Sequence, residues 1–115
     1  MLKKIVENFL NSNETYLAIR ADDENNYQVG DICKDSFEWD YENDCPTEES
    51  IGGTCGTLVG DKWQDEEELI EKLEKIIQFN KRYGKQQYVI AGDKHDFGAD
   101  EDEIIIECAT VLYKL

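Results

Sequence analysis

Residues 65–91 read DEEELIEKLEKIIQFNKRYGKQQYVIA, and this stretch decides the fold class. Its first part repeats apolar residues every three or four positions, as an amphipathic helix does, and its last part is a short apolar run typical of a strand. Asp65 suits the N-cap, the glutamates that follow suit the positive end of the helix dipole, and Gly84 suits the C-terminal cap. We therefore predict a helix over residues 65–83 and a strand over residues 87–91. The predicted buried stripe of the helix is Leu69, Ile70, Leu73, Ile76 and Ile77.

Shorter segments on both sides complete an α+β pattern. Apolar residues at helical spacing predict a short N-terminal helix over residues 2–11. The last two predicted strands, over residues 87–91 and 103–114, are separated by residues 92–102, and we expect them to form an antiparallel hairpin. We expect a mostly antiparallel sheet of about five to six strands with the helix 65–83 packed on it, in a single domain spanning residues 1–115. The further predicted strands cover residues 15–21, 29–33, 36–44, 54–59 and 103–114.

The net charge of −15 is concentrated in residues 21–60, which hold eleven acidic residues and one basic residue, Lys34. The negative electrostatic field of this segment repels phosphate backbones and increases the rate of encounter with positively charged surfaces. We therefore expect the partner to be a basic protein surface and not a nucleic acid. No apolar run approaches the ~18 residues that cross a membrane, and the N-terminus lacks a signal-peptide core, so we expect a cytoplasmic protein without a membrane partner.

The clearest period in the sequence lies in residues 36–44, where aromatic and acidic residues alternate. A strand sends successive side chains to opposite faces, so this segment would present aromatics on one face and carboxylates on the other. One interpretation is a solvated outer face whose aromatics fill the core. The other is an anionic row that occupies the lysine and arginine groove of a partner, because a surface that only needs solubility mixes its signs. The acidic members are Glu38, Asp40, Glu42 and Asp44, and the aromatic members are Phe37, Trp39 and Tyr41.

These features favour a small partner-binding protein that performs no chemistry and blocks a basic, nucleic-acid-binding surface of another protein. Phage-encoded inhibitors of host nucleases resemble this chain in being small and acidic with unpaired cysteines, and the resemblance is one of type. It implies an inhibitor of phage or mobile-element origin that works like an anti-CRISPR protein, by mimicking a nucleic acid. The residues expected to bind the partner are Asp22, Asp23, Glu24, Glu38, Asp40, Glu42 and Asp44.

The alternative hypothesis is a domain that binds a small molecule or nucleotide and is conceivably enzymatic. Residues 52–56, GGTCG, form a glycine-rich turn, but they lack the lysine and following hydroxyl of a phosphate-binding loop. A tight turn that enters a strand is the simpler interpretation. The residues expected to contact a ligand under this alternative are Arg20, Trp39, Thr54, Thr57 and Trp63.

One enzymatic resemblance rests on a few residues. Glu101-x-Glu103, which runs into an apolar strand, resembles the last motif of arginine-directed ADP-ribosyltransferases. Arg20 lies in a predicted strand, as does the arginine with which that family binds its nicotinamide dinucleotide. The family's middle Ser-Thr-Ser element is absent, and residues 53–57, GTCGT, are the poor substitute for it in this sequence. We therefore do not assign the chain to that family.

We expect neither a metal nor a cofactor. The cysteines form no short-spaced pair, and His95 is distant from them in sequence, so we expect thiols in a reducing compartment. A Cys45–Cys55 disulfide and a scattered metal site remain open alternatives. The acidic loop that starts at Asp93 fails the EF-hand pattern, since its twelfth position is Ile104 where a glutamate is needed, which leaves weak cation binding as an alternative. The cysteines are Cys33, Cys45, Cys55 and Cys108.

Overall fold

The structure, a computed structural model, describes residues 1–23, 25–33, 36–40, 55–81, 84, 86–94 and 103–115. Two helices and five strands lie within them, and all strand pairs are antiparallel. The predicted α+β class is therefore confirmed. In chain order the elements are α1 (Leu2–Leu10), β1 (Tyr16–Ala21), β2 (Ser36–Asp40), β3 (Cys55–Asp61), α2 (Glu66–Lys81), β4 (Gln87–Lys94) and β5 (Glu103–Lys114).

The helix α2 begins where its sequence signals place the N-terminus. The backbone N–H of Leu69 donates to the carbonyl of Asp65 at 3.0 Å, which is the first bond of the helix and puts Asp65 at the N-cap position. The helix is described as far as Lys81, and residues 82–83 of the predicted helix lie outside the described residues. Gly84 adopts a φ of 70° and donates to the Lys81 carbonyl, as a glycine that follows a helix does.

The sheet has the order β2-β5-β4-β1-β3, so β4 is central and β2 and β3 form the edges. The hairpin prediction is confirmed, because β4 and β5 pair antiparallel. The interior position of β5 agrees with residues 104–106 being apolar on both faces. The two edge strands also approach each other, so the sheet is curled.

Several strand bounds differ from the sequence prediction. The strand β4 continues to Lys94, because backbone pairing with β5 tolerates the polar residues Asp93 and Lys94 that the sequence assigned to a loop. The strand β3 runs from Cys55 to Asp61 rather than over residues 54–59. Of the predicted strand 36–44, residues 36–40 form β2, and residues 41–44 lie outside the described residues.

The predicted extended piece over residues 29–33 forms only an isolated bridge, between Ile32 and Thr110. Gly30, with a φ of 94°, provides the bend before it, and its N–H donates to the carbonyl of Val111. Because this piece runs beside β5 without forming a strand, the prediction of five to six strands is not matched in detail.

Both faces of the sheet are covered by apolar side chains. On one face, α1 and α2 pack against β1, β3 and β4. On the other face, Cys33 and Tyr27 pack into a second, smaller cluster. The first cluster includes Val6, Phe9, Leu17, Ile19, Val59, Leu69, Leu73, Ile77 and Val89, and the second includes Ala18, Leu58, Tyr88, Ile90, Ala109 and Val111.

Candidate functional site: an acidic sheet edge and a buried ion pair

The edge strand β2 carries Glu38 and Asp40, and its pairing with β5 brings further acidic positions beside them. Asp40 pairs with Glu103, and Ser36 pairs with Glu107. Residues directly opposite each other in an antiparallel pair share a face, with Cβ atoms ~4.5–5.5 Å apart. Glu38 pairs with Ile105, so one face of the β2–β5 pair carries Ser36, Ile105 and four acidic residues. We call these four residues, Glu38, Asp40, Glu103 and Glu107, the acidic edge. Glu103 and Glu107 were not among the residues predicted to bind a partner.

The same register separates aromatic from acidic positions, as the alternation of the sequence predicted. Phe37 pairs with Ile106, and Trp39 pairs with Ile104, so these four positions share the opposite face. Lys94 of β4 also pairs with Ile106 and belongs to that apolar side. Lys94 lies on the neighbouring strand β4, and the paired residues of β2 and β5 themselves include no basic residue.

The charge pattern of the acidic edge differs from that of α2. On α2, Glu68 and Glu71 stand four residues before Lys72 and Lys75, so acidic and basic groups alternate along the exposed surface. On the β2–β5 ladder, Asp40 stands directly opposite Glu103, and like charges in that position destabilise a sheet. The acidic edge therefore departs from the mixed-sign pattern that solubility alone requires.

Asp22, predicted to bind a partner, is buried and not at the surface. Its side chain is 0% exposed, and that of Arg20 is 1% exposed. Asp22 Oδ2 accepts from Arg20 Nε at 3.0 Å and lies 2.9 Å from Nη2. A charged carboxylate is buried only when it is paired, and Arg20, two residues earlier on β1, supplies the opposite charge. We therefore leave Asp22 out of the partner-binding surface.

The Asp22 carboxylate also organises the segment that follows it. Asn25 donates to it twice, from its backbone N–H at 3.2 Å and from Nδ2 at 2.8 Å. The hydroxyl of Tyr88 accepts from the backbone N–H of Tyr27 and donates to the carbonyl of Asn25. The guanidinium carbon of Arg20 lies 5.1 Å from the centre of the Tyr27 ring. These contacts hold Asp22, Asn25 and Tyr27 against the sheet, which gives Arg20 a structural role.

Asp23 is exposed, unlike Asp22, and its Oδ1 accepts from the backbone N–H of Gln86 at 2.9 Å. Its carboxylate therefore links the loop to the start of β4 while remaining in contact with solvent. Glu24, Glu42 and Asp44 lie outside the described residues, and their predicted contribution to a partner-binding surface stays a prediction.

The residues predicted to contact a small ligand lie on several elements, and their contribution to a ligand site stays a prediction. Arg20 pairs with Gly56 and Ile19 pairs with Thr57, so Thr57 and Arg20 stand on opposite faces of the sheet. Trp63 is 76% exposed in the turn that follows β3. Trp39 is on the edge strand β2, which approaches the other edge strand, β3, because the sheet is curled. Thr54 lies outside the described residues.

The described residues also bear on the metal and cysteine predictions. Cys33 is buried and carries a thiol. Within the described part of the chain, no cluster of histidine, cysteine and acidic side chains is arranged to hold a metal ion. His95, Cys45 and most of the predicted cation loop lie outside that part, so those alternatives stay open.

Comparison with known proteins returned no match: no protein-family model, no curated protein and no solved structure is significantly similar to this chain. None of the helices in the described residues is long and apolar enough to cross a membrane. The function is therefore argued from the geometry of the chain itself.

Proposed function

We propose that this protein binds a basic surface of a nucleic-acid-handling protein and blocks it, through the acidic edge and without performing chemistry. The observation that carries the proposal is the β2–β5 register, which places Glu38, Asp40, Glu103 and Glu107 on one face of a sheet edge. Strand geometry spaces alternate residues of one strand ~6.6–6.8 Å apart. A phosphate backbone likewise presents regularly spaced negative charges to lysine and arginine side chains.

The proposal retains Asp23, Glu24, Glu42 and Asp44 as further contacts. Residues 36–44 hold four of the eleven acidic residues in the segment 21–60, which is the most acidic part of the chain. Long-range attraction from this segment raises the rate of encounter with a cationic partner, and the acidic edge fixes where that partner binds. Cytoplasmic location and an origin in phage or mobile elements belong to the same proposal.

The test measures binding to a decalysine peptide and to a basic nuclease by isothermal titration calorimetry, at several salt concentrations. The edge variant changes Glu38, Glu103 and Glu107 to glutamine and Asp40 to asparagine. We expect this variant to lose most of the affinity and to flatten the dependence of log Kd on log salt concentration, because fewer charge contacts form.

The matched control removes the same number of charges from α2, by changing the exposed residues Glu67, Glu68, Glu71 and Glu74 to glutamine. If binding follows overall charge alone, the two variants weaken equally and the proposed site is wrong. Binding that is insensitive to salt and survives the edge variant would exclude the proposed function itself.

A further inference from the structure

Two apolar side chains are exposed where the chain turns to run beside β5. Val29 is 62% exposed, and Ile32 is 56% exposed. The next residue, Cys33, is buried in the second apolar cluster, so the extended chain directs Ile32 to the opposite, solvent side. Single apolar residues are common on protein surfaces, whereas neighbouring ones favour an interaction site. We call Val29 and Ile32 the apolar pair.

Hydrogen bonds hold the turn that carries the apolar pair. The backbone N–H of Asp31 donates to the carbonyl of Gln28 at 3.0 Å, and the backbone N–H of Gln28 donates to Oδ2 of Asp31 at 2.8 Å. The N–H of Gly30 donates to the carbonyl of Val111, and the N–H of Val111 donates to the carbonyl of Asp31, both at 2.9 Å. Because this backbone is tied to the sheet, a partner that covers the turn has little of it to order.

The apolar pair lies along the same side of β5 as β2. Thr110 of β5 pairs with Ala91 of β4 and also bridges to Ile32, so Ile32 lies on the side of β5 away from β4. The strand β2 occupies that side, where Ser36 pairs with Glu107. Positions 107 and 110 are three residues apart, which is about 10 Å along a strand. One partner surface can therefore cover the apolar pair and the acidic edge together.

The pairings also place Ile32 and the acidic edge on one face of the sheet. Ala91 and Asp93 are two residues apart on β4 and therefore share a face. Ala91 pairs with Thr110, which bridges to Ile32, and Asp93 pairs with Glu107 of the acidic edge. The extra residue between these pairings belongs to β5 and leaves the alternation of β4 intact. Since opposed positions of an antiparallel pair share a face, Ile32 and the acidic edge do so too.

We propose that Val29 and Ile32 form the apolar part of the surface that binds the basic partner, whose contact region carries an apolar side chain beside its lysine and arginine residues. This inference rests on the proposed function and specifies the chemistry of the partner. Protein interfaces combine apolar contacts with a polar surround. Asp31 adds a negative charge to the turn, which favours the same basic partner. A second copy of this chain, with a net charge of −15, would be repelled.

The experiment measures association and dissociation rates with a basic nuclease by surface plasmon resonance, for the wild type and for Val29→Thr/Ile32→Thr. Threonine keeps the β-branched shape but carries a hydroxyl group. We expect the dissociation rate to rise about tenfold, because less apolar surface is buried. The association rate and its salt dependence should stay unchanged, because every charge remains. Binding to decalysine, in which every side chain is charged, should not change.

Trp63→Ser is the matched control. Trp63 is also exposed, but it lies in the turn that follows β3 and not beside β5. This variant should bind the nuclease as the wild type does.

The inference is overturned, and the proposed function stands, if Val29→Thr/Ile32→Thr binds the nuclease as tightly as the wild type, or if Trp63→Ser weakens binding as much. It is also overturned if the double variant loses affinity for decalysine, since the loss would then lie in the acidic surface. A wild-type dimer in sedimentation that the double variant abolishes would overturn it in favour of a second copy. If the wild type binds neither the nuclease nor decalysine, the proposed function and the inference both fail.

Discussion

Arg20 and Asp22 form a buried ion pair, and such pairs are most sensitive when only one partner is lost. Asp22→Asn leaves the guanidinium of Arg20 buried with no full opposing charge. We expect this change to lower the free energy of unfolding by about 3–5 kcal/mol, measured by urea denaturation. Arg20→Met should be similarly damaging, because it leaves the carboxylate of Asp22 buried.

The double variant Arg20→Met/Asp22→Asn leaves neither charge. It should therefore be more stable than the sum of the two single changes predicts, by a coupling energy of about 0.5–3 kcal/mol. Glu7→Gln, an exposed change on α1, serves as the control and should stay within about 0.5 kcal/mol of the wild type. Strictly additive single and double changes would mean that the pair does not act as a unit.

Tyr16 gives the protein an expected alkaline transition. Burial, and then the carboxylate of Asp61 on the paired strand, raise the pKa of Tyr16 above its ordinary value of 10.0. The unfolded chain loses this proton first as the pH rises. The stability that the neutral phenol contributes is therefore complete below a pH of about 10 and is lost as the pH passes through the folded-state pKa.

In the folded protein, Tyr16 should accordingly lose its proton at a higher pH than an ordinary tyrosine. The protein has six tyrosines, so the Tyr16 titration is measured as the difference in tyrosinate absorbance between the wild type and the Tyr16→Phe variant. Asp61→Asn should move that titration part of the way back toward the ordinary value. A Tyr16 that titrates at or below a pH of about 10 would contradict the assignment.

At the scale of elements, Gly84 is the residue on which the end of α2 depends. Its φ of 70° is in the left-handed region, and a Cβ added there would meet no atom within 4 Å. The cost of Gly84→Ala is therefore conformational and not steric, and we expect about 1 kcal/mol in chemical denaturation. Gly84→Asn should cost less, since asparagine tolerates this conformation better. If Gly84→Ala and Gly84→Asn lower the free energy of unfolding equally, the loss comes from disturbed packing and not from the backbone conformation.

The sequence was most informative about elements with strong local signals. The N-cap at Asp65, the glycine after α2 and the alternation in residues 36–40 were all found in the structure. Local patterns do not reveal which strand becomes a neighbour, so the pairing of Asp40 with Glu103 was not predicted. The extension of β4 to Lys94 was missed for the same reason, since it depends on backbone pairing with β5.

The candidate site was likewise predicted only where a local sequence pattern marked it. Alternation identified Glu38 and Asp40, but charge alone placed Asp22 on the surface. The signal that could have corrected this is Arg20, which stands two residues earlier and therefore on the same side of an extended segment.

At the scale of the whole molecule, a net charge of −15 on 115 residues should oppose compaction through self-repulsion. We expect the melting temperature to rise when sodium chloride is raised from about 0.02 to 0.2 M, because the shorter Debye length screens the repulsion between the negative charges. The edge variant, which lacks four of the negative charges, should show a smaller rise. A melting temperature that is independent of salt would argue against appreciable repulsion in the folded state.

Amide chemical-shift mapping with a basic nuclease determines where on the protein the partner binds. Unlabelled nuclease is added to the ¹⁵N-labelled protein at low salt. The account predicts that the signals of residues 36–40 and 103–107 shift or broaden first, and that duplex DNA, which competes for the same groove of the nuclease, restores them. Changes centred on α2 would contradict it.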